Sequence, residues 1–292
     1  MRAAFAFVCL VVMLLAPSGC STVSLGYRNA PLIAAWWIDE RFDLPGPQQD
    51  AVRAALDATW QWHVAHARAE LVGLMDEAAT RLGRPVGEAD VEWVFAAMEG
   101  HARAVGRHFG DELAARWPRM TPAQLSALDA HLAERRAEWA QTRADESPEQ
   151  RVQRRTEQIV DELTDWFGEL TDAQQIYIAR SEAVRLDDTL WQRERVRRQA
   201  QLLDILRHDP PEGLAAWIPD PPQDRPPAVA AEAVRQRAVY RRFWVGLLAM
   251  AQPAQIAHAQ SRLREWADDL AAVAPMPTRV ARRRDDATCQ TC

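Results

Sequence analysis

The stretch Gly168–Glu182 reads GELTDAQQIYIARSE, and it decides the fold. Thr171 is followed three residues later by Gln174, and then by the apolar Ile176 and Ile178. A Thr hydroxyl ahead of a helix accepts a hydrogen bond from the backbone N–H three residues on. A Gln at that third position reaches back to the Thr N–H, and together they close a capping box. Leu170, just before the cap, is placed to staple onto the new helix at Ile178. The same pattern stands at MTPAQL from Met120, with Thr121, Gln124 and a proline at the first helical position, where a missing N–H costs nothing. LPGPQQ from Leu44 and AQPAQI from Ala251 keep the glutamine but carry Pro45 and Gln252 at the threonine place, so their boxes are incomplete. Each of the four ends one helical stretch and opens another. Their uneven spacing argues against a regular solenoid.

Outward from these turns, apolar residues recur with helical period, and runs of alternating apolar and polar residues are absent. The periodicity predicts helices over 31–42, 47–82, 87–116, 121–143, 148–168, 171–207, 228–250 and 253–273. The expected fold is all-α: an elongated bundle of about seven to eight helices, arranged as helical hairpins with capped Leu-Thr-x-x-Gln turns. The helix from Thr171 would be on the order of 55 Å long. Seven prolines between His208 and Ala228 should stop any helix there, so 208–228 is expected as a loop docked on the helices. The expected organisation is a leader over 1–19, one helical domain over 20–275 and a flexible Arg-rich tail over 276–292.

The leader reading rests on MRAAFAFVCLVVMLLAPSGC, residues 1–20. Arg2 precedes an apolar run from Ala3 to Ala16. That run is too short for a bilayer about 30 Å thick, which needs about twenty residues, but fits the core of a signal peptide. Small residues Ser18 and Gly19 then lead to Cys20. This is the pattern of a bacterial lipoprotein, in which the cysteine thiol takes a diacylglyceryl group and the freed amine is acylated. Pro17 stands where leucine is usual. Ser21 after the cysteine, in place of Asp, predicts an outer-membrane location facing the periplasm. Several acyl chains at one end hold a protein on a membrane stably.

Composition narrows the chemistry. The chain is 48% hydrophobic with a formal net charge of -6, and no basic stripe is visible, so nucleic acid is not an expected partner. All 35 basic residues are arginine. With no lysine, P-loop nucleotide hydrolysis and lysine-imine chemistry are excluded. Apart from Cys9 in the leader and Cys20, the cysteines are Cys289 and Cys292, a CxxC in a polar tail, expected as a local disulfide in an oxidising periplasm.

The segment CSTVSLGYRNAPLIAAWWIDERFDLPGPQQ, 20–49, carries Leu25, Tyr27, Asn29, Ala30, Trp36, Trp37, Asp39, Asp43, Leu44 and Gln48 at telling positions. Read as Cys, Leu-x-Tyr-x-Asn-Ala, Trp-Trp-x-Asp and Asp-Leu-x-x-x-Gln, it resembles a family of proteobacterial lipoproteins of unknown function. That resemblance implies an envelope lipoprotein and brings no activity with it. The Thr-x-x-Gln turns also resemble those of the Spy/CpxP periplasmic chaperones and stress regulators.

Candidate binding residues follow from chemistry. Among the twelve tryptophans, Trp36, Trp37, Trp60 and Trp62 could form a sticky surface for unfolded proteins or glycans, although inter-helix packing is the commoner use of Trp. Adjacent Trp36 and Trp37 cannot share a helix face. His63, His66 and Glu70, at offsets of three and four, could place three zinc ligands on one α-helical face; no cofactor or metal is expected, because no ligand from a second helix can be assigned. Arg193, Arg195, Arg197 and Arg198 could meet anionic head groups. GxSxG and HExxH are absent, and Glu146-Ser147 reads better as a helix cap before Pro148 than as a glycosidase acid. The expected function is a non-catalytic, lipid-anchored envelope protein that binds other envelope proteins in a chaperone-like or assembly role. A fixed subunit of an outer-membrane complex is one alternative, and a metal-binding stress protein or enzyme is another.

Overall fold

A computed structural model describes residues 21–208, 210–220 and 224–273. Among them the chain is all-α, with more helices than the seven or eight expected. The helices are α1 (Ser21–Arg28), α2 (Ala30–Phe42), α3 (Gly46–Trp62), α4 (Arg68–Leu82), α5 (Glu88–Ala114), α6 (Pro122–Ala144), α7 (Pro148–Phe167), α8 (Asp172–Arg180), α9 (Thr189–His208), α10 (Pro210–Trp217), α11 (Pro227–Ala249) and α12 (Pro253–Ala271). A π-helical turn, His63–Ala67, joins α3 to α4, and a 3₁₀ turn, Ala183–Arg185, stands between α8 and α9.

The glutamine turns set the helix starts. Thr121 Oγ1 accepts from the Gln124 N–H at 3.2 Å, and Gln124 Oε1 accepts from the Thr121 N–H at 2.8 Å. Thr171 and Gln174 make the same pair of bonds, at 3.3 and 2.9 Å. Ser147 and Gln150 build a third such box. Thr121→Ala removes one acceptor at an exposed cap, and should lower the unfolding free energy in urea by about 1 kcal/mol.

The third and fourth turns also clasp each other. Gln174 and Gln255 are 2% and 6% exposed. Gln174 Nε2 donates to Gln255 Oε1 at 2.9 Å, and Gln255 Nε2 donates to Gln174 Oε1 at 3.0 Å. Each carbonyl also takes a backbone N–H at its own cap, Thr171 or Gln252, at 2.9 Å. Gln255 Nε2 donates further to the Glu169 carbonyl at 2.8 Å. Every polar atom of the two amides therefore has a partner, which is what makes their burial tolerable. Beneath them lies a cluster of Leu163, Phe167, Leu170, Ile178, Val184, Phe243 and Leu247.

The single helix expected over 171–207 is broken. Helix α8 ends at Arg180, and α9 begins only at Thr189. Ala183, Val184 and Leu186 between them are buried. Asp187 Oδ1 accepts from the Thr189 N–H at 3.1 Å and from its hydroxyl at 2.7 Å, which starts α9. Asp188 pairs with Arg143 at 2.6 Å and Arg155 at 3.1 Å. Burial of the three apolar residues and pairing of Asp188 outweigh a helix propensity worth a few tenths of a kcal/mol per residue.

The region 208–228 is likewise more than a loop. Pro210 and Pro211 open α10 in its first turn, where proline is tolerated. Leu214 of α10 is buried beside Leu128, Leu132, Leu202 and Leu206. A Cβ on Gly110 of α5 would lie 3.1 Å from the Ala215 carbonyl oxygen, so glycine there permits the close approach of α10. Arg198 donates to the Trp217 carbonyl and to Asp220, at 2.8 and 2.6 Å, and holds the end of the segment.

Candidate functional site

The N-terminal arm, α1 and α2, is nearly one continuous helix. Asn29 N–H donates to the Leu25 carbonyl at 3.1 Å and Ile33 N–H to the Asn29 carbonyl at 3.0 Å, so the helical ladder passes through the junction. One face is built of small residues: Gly26, Pro31, Ala34 and Ala35 are buried. The opposite stripe holds Leu25, Leu32 and Trp36, which are 59%, 68% and 59% exposed. Offsets of seven and four put all three on one side of a helix.

Gln49 of α3 donates to Asp39 of α2, and two bonds at Tyr27 fasten α1 to the body. Trp60 Nε1 donates to the Tyr27 carbonyl at 2.9 Å, and the Tyr27 hydroxyl lies 2.6 Å from His63 Nδ1. His63 Nε2 in turn lies 2.9 Å from His101 Nε2 of α5, with the rings edge to face. One nitrogen of this pair must donate and the other accept, so both rings cannot be protonated together. Burial, then the nearby charge states of His101 and Arg68, lower the His63 pKa to about 4. Burial also pulls His101 down, against an upward pull from Glu70, and pushes the Tyr27 hydroxyl up to about 12. The relay is therefore neutral at pH 7. His101 Nδ1 is buried with no hydrogen-bond partner among the described residues.

The π turn explains how His63 comes to face inward. Arg68 N–H bonds to the His63 carbonyl, five residues back, which widens the helix by one residue. The π turn interrupts the α period that would set His63, His66 and Glu70, the weak zinc candidates, on one face. His63 is buried, whereas His66 and Glu70 are exposed, and His66 Nδ1 bonds to the Trp62 carbonyl at 3.1 Å. No group of three His, Cys, Asp or Glu side chains converges on a metal position among the described residues.

The four tryptophans also separate. Trp36 is open to solvent. Trp37 is half-buried with the Arg41 guanidinium over its ring at 3.9 Å. Trp60 is buried in a cluster with Val64 and Val273. Trp62 is half-buried and stacks on His108 at 4.5 Å. The arginine cluster divides too: Arg197 pairs with Glu194 and Arg198 with Asp220, both near 2.7 Å, while Arg193 and Arg195 are exposed. Cys20, Cys289 and Cys292 lie outside the described residues.

Sequence reasoning does not join Tyr27, His63 and His101. The pairing of His63 with His101 spans 38 residues, and nothing local foretells it. An open groove of about 630 Å³ runs between α7 and the α8–3₁₀ segment, floored by Val152, Thr156 and Ala179 and rimmed by Glu149, Glu157 and Arg185. No helix among the described residues is long and apolar enough to cross a membrane.

No curated protein and no solved structure matches the chain. The sequence model of a family of unknown function, DUF6279, matches residues 40–223, well over half of the 292. The match takes in the first three glutamine turns from Asp43 onward, the histidine pair and α10, and the chain belongs to this family of unknown function.

Proposed function

We propose that this chain is a lipoprotein of the bacterial envelope, held on the periplasmic face of the outer membrane through Cys20, and that it works by binding other envelope proteins in a chaperone-like or assembly role. The carrying observation is the order of features at the N-terminus. An apolar run, two small residues and Cys20 lead directly into helix at Ser21, with no spacer between the acylated residue and the fold. Lipid on that thiol would keep the helical body against the membrane, among membrane-bound partners.

The geometry of the body suits binding. Four of its buried polar residues, Gln174, Gln255, His63 and Asp188, bond to structural partners. An open groove between α7 and α8, floored by Val152, Thr156 and Ala179 and with a charged rim, matches an extended or helical segment of another chain. A photo-reactive residue at Gln153, inside that groove, tests this reading in living cells. Several different envelope proteins should be captured, and capture should fall at least about ten-fold for the Cys20→Ser chain as local concentration at the membrane is lost. A single stoichiometric partner would replace the reading with that of a fixed complex subunit. Capture of nothing by the acylated chain would overturn it.

A further inference from the structure

We infer that α1 and α2 lie along the membrane surface, with Leu25, Leu32 and Trp36 seated at the headgroup–acyl boundary of the leaflet that anchors Cys20. This inference rests on the lipid-anchor reading above and adds an orientation to it.

The first support is the distribution of exposed apolar side chains. Six large ones are exposed among the described residues: Leu25, Leu32, Trp36, Ile176, Val196 and Val234. The last three stand singly on α8, α9 and α11, as scattered surface residues do. The first three fall within twelve residues and on one stripe. That stripe is rigid. Its back is pinned by Ala34 and Ala35 against the body, and Tyr27 is held through the His63 and Trp60 bonds.

Chain length supplies the second support. Cys20 is five residues before Leu25, and a residue spans at most about 3.5 Å. Whatever path those residues take, the acylated Cα lies within about 18 Å of the Leu25 Cα. From Leu25 to Trp36 the helix advances about 16 Å. Acyl chains inserted in a bilayer therefore bring the whole stripe to its surface. A tryptophan with apolar neighbours is the side chain most at home at that depth.

Charge supplies the third. Arg28, three residues after Leu25 and four before Leu32, is exposed beside the stripe, where its guanidinium meets the phosphates of anionic headgroups.

The test uses the full, acylated protein with Cys9, Cys289 and Cys292 replaced by alanine. An environment-sensitive fluorophore is attached to a single cysteine from Leu25→Cys, Leu32→Cys or Trp36→Cys, with Val196→Cys and Val234→Cys as controls. All five sites are exposed, so none of the substitutions disturbs packing. The protein is reconstituted in vesicles of phosphatidylethanolamine with a minority of phosphatidylglycerol. Lipids with a nitroxide near the headgroup should quench the three arm probes at least about two-fold and leave the controls unchanged, as for side chains about 5–10 Å into the interface. Arm probes no more quenched than the controls, on protein shown by mass to be acylated, would overturn the inference and leave the anchor intact. A protein crosslinked at position 36 in place of lipid would overturn it as well. If Cys20 carries no lipid, the anchor reading fails separately. The stripe is then judged by quenching when the soluble protein is added to the same vesicles: quenching supports it and no quenching overturns it.

Discussion

Gln174→Ala should lower the unfolding free energy by about 3 kcal/mol, read from the urea midpoint at constant slope. The substitution removes a side chain that is 2% exposed. The Gln255 amide then loses both a donor and an acceptor, and the Thr171 N–H loses its cap. A buried polar group left unpaired costs about 1–3 kcal/mol, and a lost cap adds about 1 kcal/mol. Gln255→Ala should cost a similar amount, because it takes one partner from each end of the Gln174 amide and strips the Glu169 carbonyl and the Gln252 N–H. The double variant should cost less than the sum of the two by about 1–2 kcal/mol, since the two amide–amide bonds are shared and can be lost only once. Strict additivity would show that the two turns are stabilised independently and that the clasp is not energetically a unit.

The second large effect is acid destabilisation through the histidine relay. His63 has a pKa of about 4 in the folded protein and an ordinary value near 6.5 when unfolded. The unfolded chain therefore binds the extra proton first, and protonation favours unfolding. Stability is complete above about pH 6.5 and is lost as pH falls toward 4. Taking each pH unit as about 1.4 kcal/mol, His63 alone accounts for a loss of about 3 kcal/mol across that window. His101, depressed by the same burial, adds in the same direction. Carboxylates act lower: Asp90, held by Arg84 to about 2, loses its contribution only below its usual value of 3.8. Urea midpoints at pH 7, 5.5 and 4.5 separate the two windows. In His63→Gln the decline between pH 6.5 and 4.5 should flatten to what His101 alone supplies. An unchanged slope would mean that His63 is not held neutral by the fold.

The legible and illegible parts of this molecule divide by sequence distance. Thr121 with Gln124, and Thr171 with Gln174, are legible because a capping box is closed within three residues. The clasp between Gln174 and Gln255 joins residues 81 apart, and only the fold brings their turns together. The break at 181–188 was hidden because the partners of Asp188 are Arg143 and Arg155, on two other helices. Helix α10 was hidden because its prolines were read as stops, although two of them stand in a first turn where no N–H is needed. The inward position of His63 is illegible for a subtler reason. Its spacing to His66 and Glu70 fits an α-helical face, and one inserted residue in the π turn takes it off that face and into the core. Of the tryptophans, Trp36 and Trp60 look alike in sequence. One ends in solvent and the other in the core because α2 buries its alanine side and α3 its Trp60 side.

Lipidation of Cys20 underlies both the proposed function and the membrane orientation, and intact mass spectrometry of the protein extracted from outer-membrane fractions tests it. The expected result is a chain that starts at residue 20, with the added mass of a diacylglyceryl group and an amide-linked acyl chain, and the release of the Cys20→Ser chain from the membrane fraction. A mature protein that starts elsewhere, or an unprocessed chain recovered with the cytosol, would contradict it.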